Sequence, residues 1–248
     1  MHIGLFIPCY INQFYPQVAI ATLQILEKLN LKVSYPIDQT CCGQPMANSG
    51  FEESANNTYQ LFIKNFSQYD YVVCPSGSCV YHVRYCFDTI EQTDVVKQLR
   101  ANTFELCEFL VKILGRDHIP AKFPFKVGLH QTCSGLRGLR LGKSSERNDA
   151  DYSVVRQLLS NVEGLELIAP SRSDECCGFG GTFAVGEEAV SVKMGADRIT
   201  DHIDHGAEVL TAVDMSCLMH LEGIIRRRSL PLQIKHVAEI LNSDVEQY

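Results

Sequence analysis

Two triplets decide how this chain is read: Cys41-Cys42-Gly43, within TCCGQP at 40–45, and Cys176-Cys177-Gly178, within ECCGFG at 175–180. Neighbouring side chains on an extended backbone point to opposite faces. Two adjacent thiols can therefore share one metal only where the chain leaves regular structure. The glycine after each pair permits this, because it accepts positive φ and lets the backbone come close to a ligand. A lone cysteine lies upstream of each triplet, Cys9 in one case and Cys133 in the other. Downstream stand Cys74 and Cys79 for the first triplet and Cys217 for the second. The pattern predicts that each half of the chain frames one metal centre.

The halves align on more than cysteine. Ser78-Cys79-Val80-Tyr81-His82 matches Ser216-Cys217-Leu218-Met219-His220 in residue type at every position. In this register Cys74 has Ala212 opposite it, so the second half is one cysteine short, and Asp214 stands near the gap. An internal duplication with a modified second site accounts for the pattern.

The 248 residues are 46% hydrophobic and 21% charged, which suits one or two ordinary globular domains. A net charge of -7 argues against nonspecific nucleic-acid binding and against an anionic membrane surface as partner. No run of eighteen apolar residues is present, and MHIGLFIPCYINQ lacks the basic start of a signal peptide. Eleven cysteines without an export signal point to a reducing, cytoplasmic setting and to metal or redox chemistry rather than a disulfide framework.

Hydrophobic periodicity predicts strands over 3–8, 32–35 and 70–73 in the first half, and over 126–130, 165–169 and 208–213 in the second. Helices are expected over 14–29, 52–66 and 104–114, and one should begin near Cys79. The second half should carry helices over 152–159 and 187–202, one from Cys217 to about Arg227, and a last one near 237–241. Residues 116–125, with Pro120 and Pro124, read as the connector. Alternating strands and helices imply an α/β fold of two tandem, pseudo-repeated, Rossmann-like layered domains with parallel sheets, spanning 1–118 and 119–248. Ligands of such sheets gather beyond the strand carboxyl ends. Cys9, Cys74, Cys133 and Cys217 each closely follow an expected strand, so the cysteine sites should lie there.

With these residues in place, the chain resembles the duplicated cysteine-rich (CCG) domain family of iron–sulfur proteins. That family includes the B subunit of heterodisulfide reductase and the iron–sulfur subunit of glycolate oxidase. Two CCG halves and nothing else most resemble its lactate-utilization branch. The resemblance implies that Cys9, Cys41, Cys42, Cys74 and Cys79 ligate one iron–sulfur cluster. It likewise implies that Cys133, Cys176, Cys177 and Cys217 ligate another. Such clusters would be of [4Fe–4S] type, with a non-cubane form implied for the first half. The implied function is an electron-transfer component of a complex oxidising L-lactate to pyruvate. Its implied partners are the complex's other subunits, a ferredoxin-type iron–sulfur protein among them. No flavin, nicotinamide or substrate motif occurs in the chain, so hydride abstraction is expected elsewhere.

Other readings compete. Four thiolates hold structural zinc as readily as iron, which would make the protein a zinc-stabilised scaffold. Thiol–disulfide chemistry of the heterodisulfide-reductase kind is a further alternative. Cys86 and Cys107 sit within helical apolar patterns and are expected in the core, where a free cysteine behaves as a small hydrophobe. His82 and His220 recur at one offset from a cysteine, as hydrogen-bonding supports of a centre or as inherited packing. Asp214 is either a replacement ligand or, more simply, a helix cap.

Overall fold

The structure, a computed structural model, describes residues 1–243. Strands β1 (His2–Leu5), β2 (Lys32–Ser34), β3 (Tyr71–Cys74) and β4 (Thr103–Glu105) form one sheet in the order β2-β1-β3-β4. Strands β5 (Lys126–Leu129), β6 (Glu166–Ile168), β7 (Val209–Ala212) and β8 (Gln233–His236) form a second in the order β6-β5-β7-β8. All pairings are parallel: Ile3 lies opposite Val33 and Tyr71, and Val127 opposite Leu167 and Val209. Parallel neighbours need long crossovers, and the helices in those crossovers cover both sheet faces. The central strands are accordingly apolar and closed to water, as at Val72, Val73 and Leu210.

In each sheet the chain runs from its first strand outward to one neighbour, then returns to build on the other side. The strand order therefore reverses between β1 and β3, and again between β5 and β7. A crevice opens beyond the carboxyl ends at such a reversal. The α/β class, the parallel sheets and the tandem repeat follow the expectation from sequence.

Local details depart from it where tertiary context outweighs periodicity. The helix expected over 14–29 runs over Pro16–Lys28, but a short helix that was not expected, Cys9–Phe14, precedes it. Proline lacks the N–H that a continuous helix needs, yet it starts a new one readily. The span expected as helix over 104–114 opens as β4, where Val73 and Phe104 pair, and turns helical only at Leu106. Strand β8 and the helix Asp94–Ala101 were not expected; that helix buries Val96 and Leu99 on one face, and Thr93 caps it by accepting from Val96 N–H at 3.3 Å. The last helix, Val237–Leu241, falls where expected. Cys107 is fully buried in the core, whereas Cys86, ending the helix Gly77–Cys86, is only half-buried.

The halves exchange their final helices. Val237–Leu241 packs on Pro16–Lys28 of the first half, and Leu106–Glu108 on Val154–Leu159 of the second. The side chain of Asn242 donates to Gln24 Oε1 at 2.6 Å across the same seam. The two halves are thereby packed against each other.

Two imidazoles buried in the second half make the fold acid-sensitive. Burial, together with the Arg198 guanidinium in the first case, holds His202 down to about 3, and burial holds His236 down to about 4. Below pH 6.5 the unfolded chain takes up protons that the native state refuses. Stability is therefore whole above pH 6.5 and falls as the pH drops toward 4, by about 1.4 kcal/mol per unit for each imidazole. Tm measured against pH shows this decline. The variant His202→Asn flattens it by one imidazole's share, and an unchanged slope would refute the assignment.

Candidate metal centre

Each cysteine reaches the crevice by a different local device. Cys9 opens the helix Cys9–Phe14, directly after the loop leaving β1. Cys41 and Cys42 lie in the loop after β2, which Gly43 turns at φ +91° into the short helix Gln44–Asn48. Cys79 stands in the first turn of Gly77–Cys86, after β3. Cys9 and Cys41 bring their Sγ atoms to 3.8 Å, and Cys42 and Cys79 to 3.5 Å. In the second half Cys133 follows β5 and Cys217 lies in the first turn of the helix Met215–Arg228. Gly178 turns the pair Cys176-Cys177 at φ +87°. Here Cys133 meets Cys176 and Cys177 meets Cys217 through sulfur.

Backbone N–H groups converge on the same sulfurs. Gly43 N–H donates to Cys41 Sγ at 3.5 Å and Gly178 N–H to Cys176 Sγ at 3.4 Å. Phe179 N–H donates to Cys177 Sγ at 3.5 Å. Such donors favour thiolate, the form that binds metal. The thiols cannot all ionise unaided. Hydrogen bonding to Cys41 and burial push the Cys9 thiol far up, and contacts with Cys41 and Cys79 do the same to Cys42. Contact with Cys176 and burial raise Cys133. Cys41, held by Cys42 and Cys9, takes the first negative charge and is pulled well down. Further ionisation needs a cation among the sulfurs, and the donor set is soft sulfur throughout, which suits iron–sulfur centres or zinc.

The two quartets share one space. Cys9, Cys41, Cys42 and Cys79 line a cavity of about 410 Å³, and so do Cys133, Cys176, Cys177 and Cys217. Tyr10 of the first half and Phe179 of the second meet edge to face at its wall, their ring centroids 6.1 Å apart. The sequence predicts a frame in each half; that both frames open on a single cavity between the halves was not foreseeable from spacing.

Asp214 joins the halves under this cavity. Its Oδ1 accepts from Ser76 Oγ at 2.9 Å and Ser78 N–H at 2.8 Å, and its Oδ2 from Thr132 Oγ1 at 2.7 Å. Ser78 belongs to the first turn of Gly77–Cys86, so Asp214 caps a helix of the opposite half. Both oxygens are engaged in this way. Asp214→Ala takes the carboxylate acceptor from two hydroxyls and an amide in a buried place, at a cost on the order of 3 kcal/mol. Urea unfolding measures it; a loss under about 1 kcal/mol would contradict this bridging role.

The remaining predicted residues lie elsewhere. Cys74, ending β3, is fully buried, donates to Ser76 O at 3.9 Å and is not among the residues lining the cavity. His82 and His220 do not line it either; each stands behind a CCG loop. His82 Nε2 bonds Tyr59 OH at 3.0 Å, and the Tyr59 ring lies where a Cβ on residue 43 would be, 2.6 Å from Cε1. His220 Nε2 lies 3.5 Å from Ser191 Oγ, which donates to Gly178 O at 2.8 Å. The two histidines thus support, one residue removed, the groups that press on Gly43 and Gly178.

One residue escaped the sequence reading. His130 follows β5, is buried, and brings a ring nitrogen within 4.8 Å of the sulfurs of Cys177 and Cys217. Its position three residues before Cys133 was the available signal, since the first half has Phe6 three residues before Cys9. Burial and the nearby Arg198 guanidinium hold it well below the ordinary imidazole range, hence neutral.

Known proteins agree with this duplicated plan. The family model for the cysteine-rich domain CCG matches residues 3–84 and again residues 127–222. Lactate utilization protein A from Exiguobacterium sp. is 38% identical over 253 residues, covering 99% of both chains. The protein of that name from Bacillus subtilis is 36% identical over 247 residues, covering 98% of this chain and 100% of its own. Among solved structures, glutamate racemase from Francisella tularensis aligns with 97% of this chain and 77% of its own at 12% identity. Its TM-score of 0.37 is too low to carry an inference. Both halves bear the same motif and the same strand order, and the chain belongs to the cysteine-rich CCG domain family.

Proposed function

We propose that this protein is the iron–sulfur electron-transfer subunit of a complex that oxidises L-lactate to pyruvate. The observation that carries the reading is the pair of thiol quartets opening on one cavity. Cys9, Cys41, Cys42 and Cys79 hold one cluster in this reading, and Cys133, Cys176, Cys177 and Cys217 the other. A bound iron–sulfur cluster supplies a one-electron acceptor whose potential depends on charge, hydrogen bonds and exposure.

Lactate gives up two electrons and two protons on becoming pyruvate, and two adjacent centres in one cavity suit the relay of such a pair. The chain's own part is to hold the thiolates, to shield them between the halves, and to fix their spacing through Gly43, Gly178 and Asp214. The link to lactate rests on the full-length kinship with proteins named for lactate utilization. The other subunits of the complex, a ferredoxin-type protein among them, would remove hydrogen from the substrate and carry electrons onward. No helix among the described residues is long and apolar enough to cross a membrane.

Anaerobic purification with native partners, followed by iron and acid-labile sulfide assays and EPR, tests the reading. A brown protein carrying iron and sulfide in both halves is expected. Stoichiometric zinc without labile sulfide would instead make the site a structural scaffold and overturn the redox role.

A further inference from the structure

We propose that His130 is a ligand of the metal centre in the second half, binding through a ring nitrogen beside Cys177 and Cys217. The inference rests on the reading that the thiols hold iron–sulfur clusters, and adds to it a ligand that no cysteine motif contains.

Three observations converge on it. His130 is 1% exposed, and neither of its ring nitrogens has a hydrogen-bond partner among the described residues. A buried polar atom left unpartnered is costly, so a native structure that keeps one calls for an explanation. Secondly, the ring is aimed at sulfur: one nitrogen and the Sγ atoms of Cys177 and Cys217 all lie within 4.8 Å of one another. That is a compass in which a single metal ion can touch all three donors. Thirdly, the two halves differ at this place. Phe6, the counterpart of His130, is a core ring packed edge to face on Phe62 and Phe66. The site thus accommodates an apolar ring in one half, so nothing in the fold itself requires an imidazole in the other. The same second half lacks a counterpart to Cys74, having Ala212 instead.

His130 places a neutral nitrogen beside the thiolates of the second set, whereas the first set is sulfur throughout, and exchanging that nitrogen for a charged thiolate would lower the potential of the second centre alone.

The test uses the full chain, reconstituted anaerobically with ferrous iron and sulfide and then reduced. Pulsed EPR on protein carrying nitrogen-15 histidine is expected to show a directly coordinated nitrogen. The variant His130→Phe, which copies the first half's residue and so keeps the core filled, is expected to lose that coupling. The variant His130→Cys is expected to keep the iron content while lowering the potential of one centre. Circular dichroism and Tm confirm that each variant is folded. A cluster-loaded wild type without a coordinated nitrogen, or a coupling that persists in His130→Phe, overturns the assignment while leaving the iron–sulfur reading intact. A chain that takes up no iron and sulfide overturns both.

Discussion

Cys177→Ser is expected to remove the second centre and leave the first, so that iron and labile sulfide fall to about half of the wild-type content. The Sγ of Cys177 is buried, lies beside Cys217 and His130, and receives the N–H of Phe179. Serine keeps the shape but offers a hard, protonated oxygen where a soft thiolate is wanted. Cys42→Ser is the mirror experiment: its sulfur lies 3.5 Å from that of Cys79, and the first centre should be lost in its place. The double variant should be colourless. Because the two quartets open on one cavity, the single variants also decide how many centres there are. If either one alone strips all the iron, the eight thiols hold one shared centre and the two-cluster reading falls. The fold should survive in each case, since a buried serine in place of cysteine costs only about 1–3 kcal/mol, and circular dichroism separates lost metal from lost structure.

The fold class was legible because the relevant signals are local. Apolar runs such as IGLFIP and KVGLH end at Cys9 and Cys133 within a few residues, and the strand-end rule then places the thiols at one edge of each sheet. What stayed illegible depends on which elements meet. Thr103–Glu105 lies at the start of a helical apolar pattern, and only its pairing with β3 makes it a strand. The packing of Val237–Leu241 on the first half and of Leu106–Glu108 on the second leaves no trace in periodicity, yet it joins the two halves. Asp214 was readable as a residue filling a gap; its true partners are Ser76 and Ser78 at the start of the helix Gly77–Cys86 and Thr132 in the loop after β5. His130 was hidden for a simpler reason. A lone histidine after a strand carries no motif, and only the sulfurs around it give it a meaning.

Gly178→Ala is expected to be the most damaging single-atom addition to the chain, and more damaging than Gly43→Ala. Both glycines hold positive φ, +87° and +91°, where any other residue is strained by about 1–2 kcal/mol. The difference lies in what the added methyl meets. At residue 43 it would come 2.6 Å from Cε1 of Tyr59, a side chain. That ring is stacked on Phe87 at 4.0 Å between centroids and bonded to His82, so it yields only partly. At residue 178 the methyl would come 2.6 Å from the carbonyl oxygen of Ser191 and 2.8 Å from Met194 Cβ. Both belong to the helix Glu188–Asp204, and a helix backbone cannot step aside without breaking its own hydrogen bonds. The CCG loop must move instead, taking Cys176 and Cys177 away from Cys133 and Cys217. Overpacking of this kind costs about 1–3 kcal/mol beyond the φ strain. The predicted outcome is a stability loss of about 2–5 kcal/mol together with loss of the second centre's iron, while Gly43→Ala retains part of the first's. Urea unfolding of the metal-free chain and iron assay of the reconstituted one read the two effects separately. Equal damage from the two substitutions would mean that the helix backbone behind Gly178 gives as easily as a side chain, and that the loop is not pinned where the sulfurs need it.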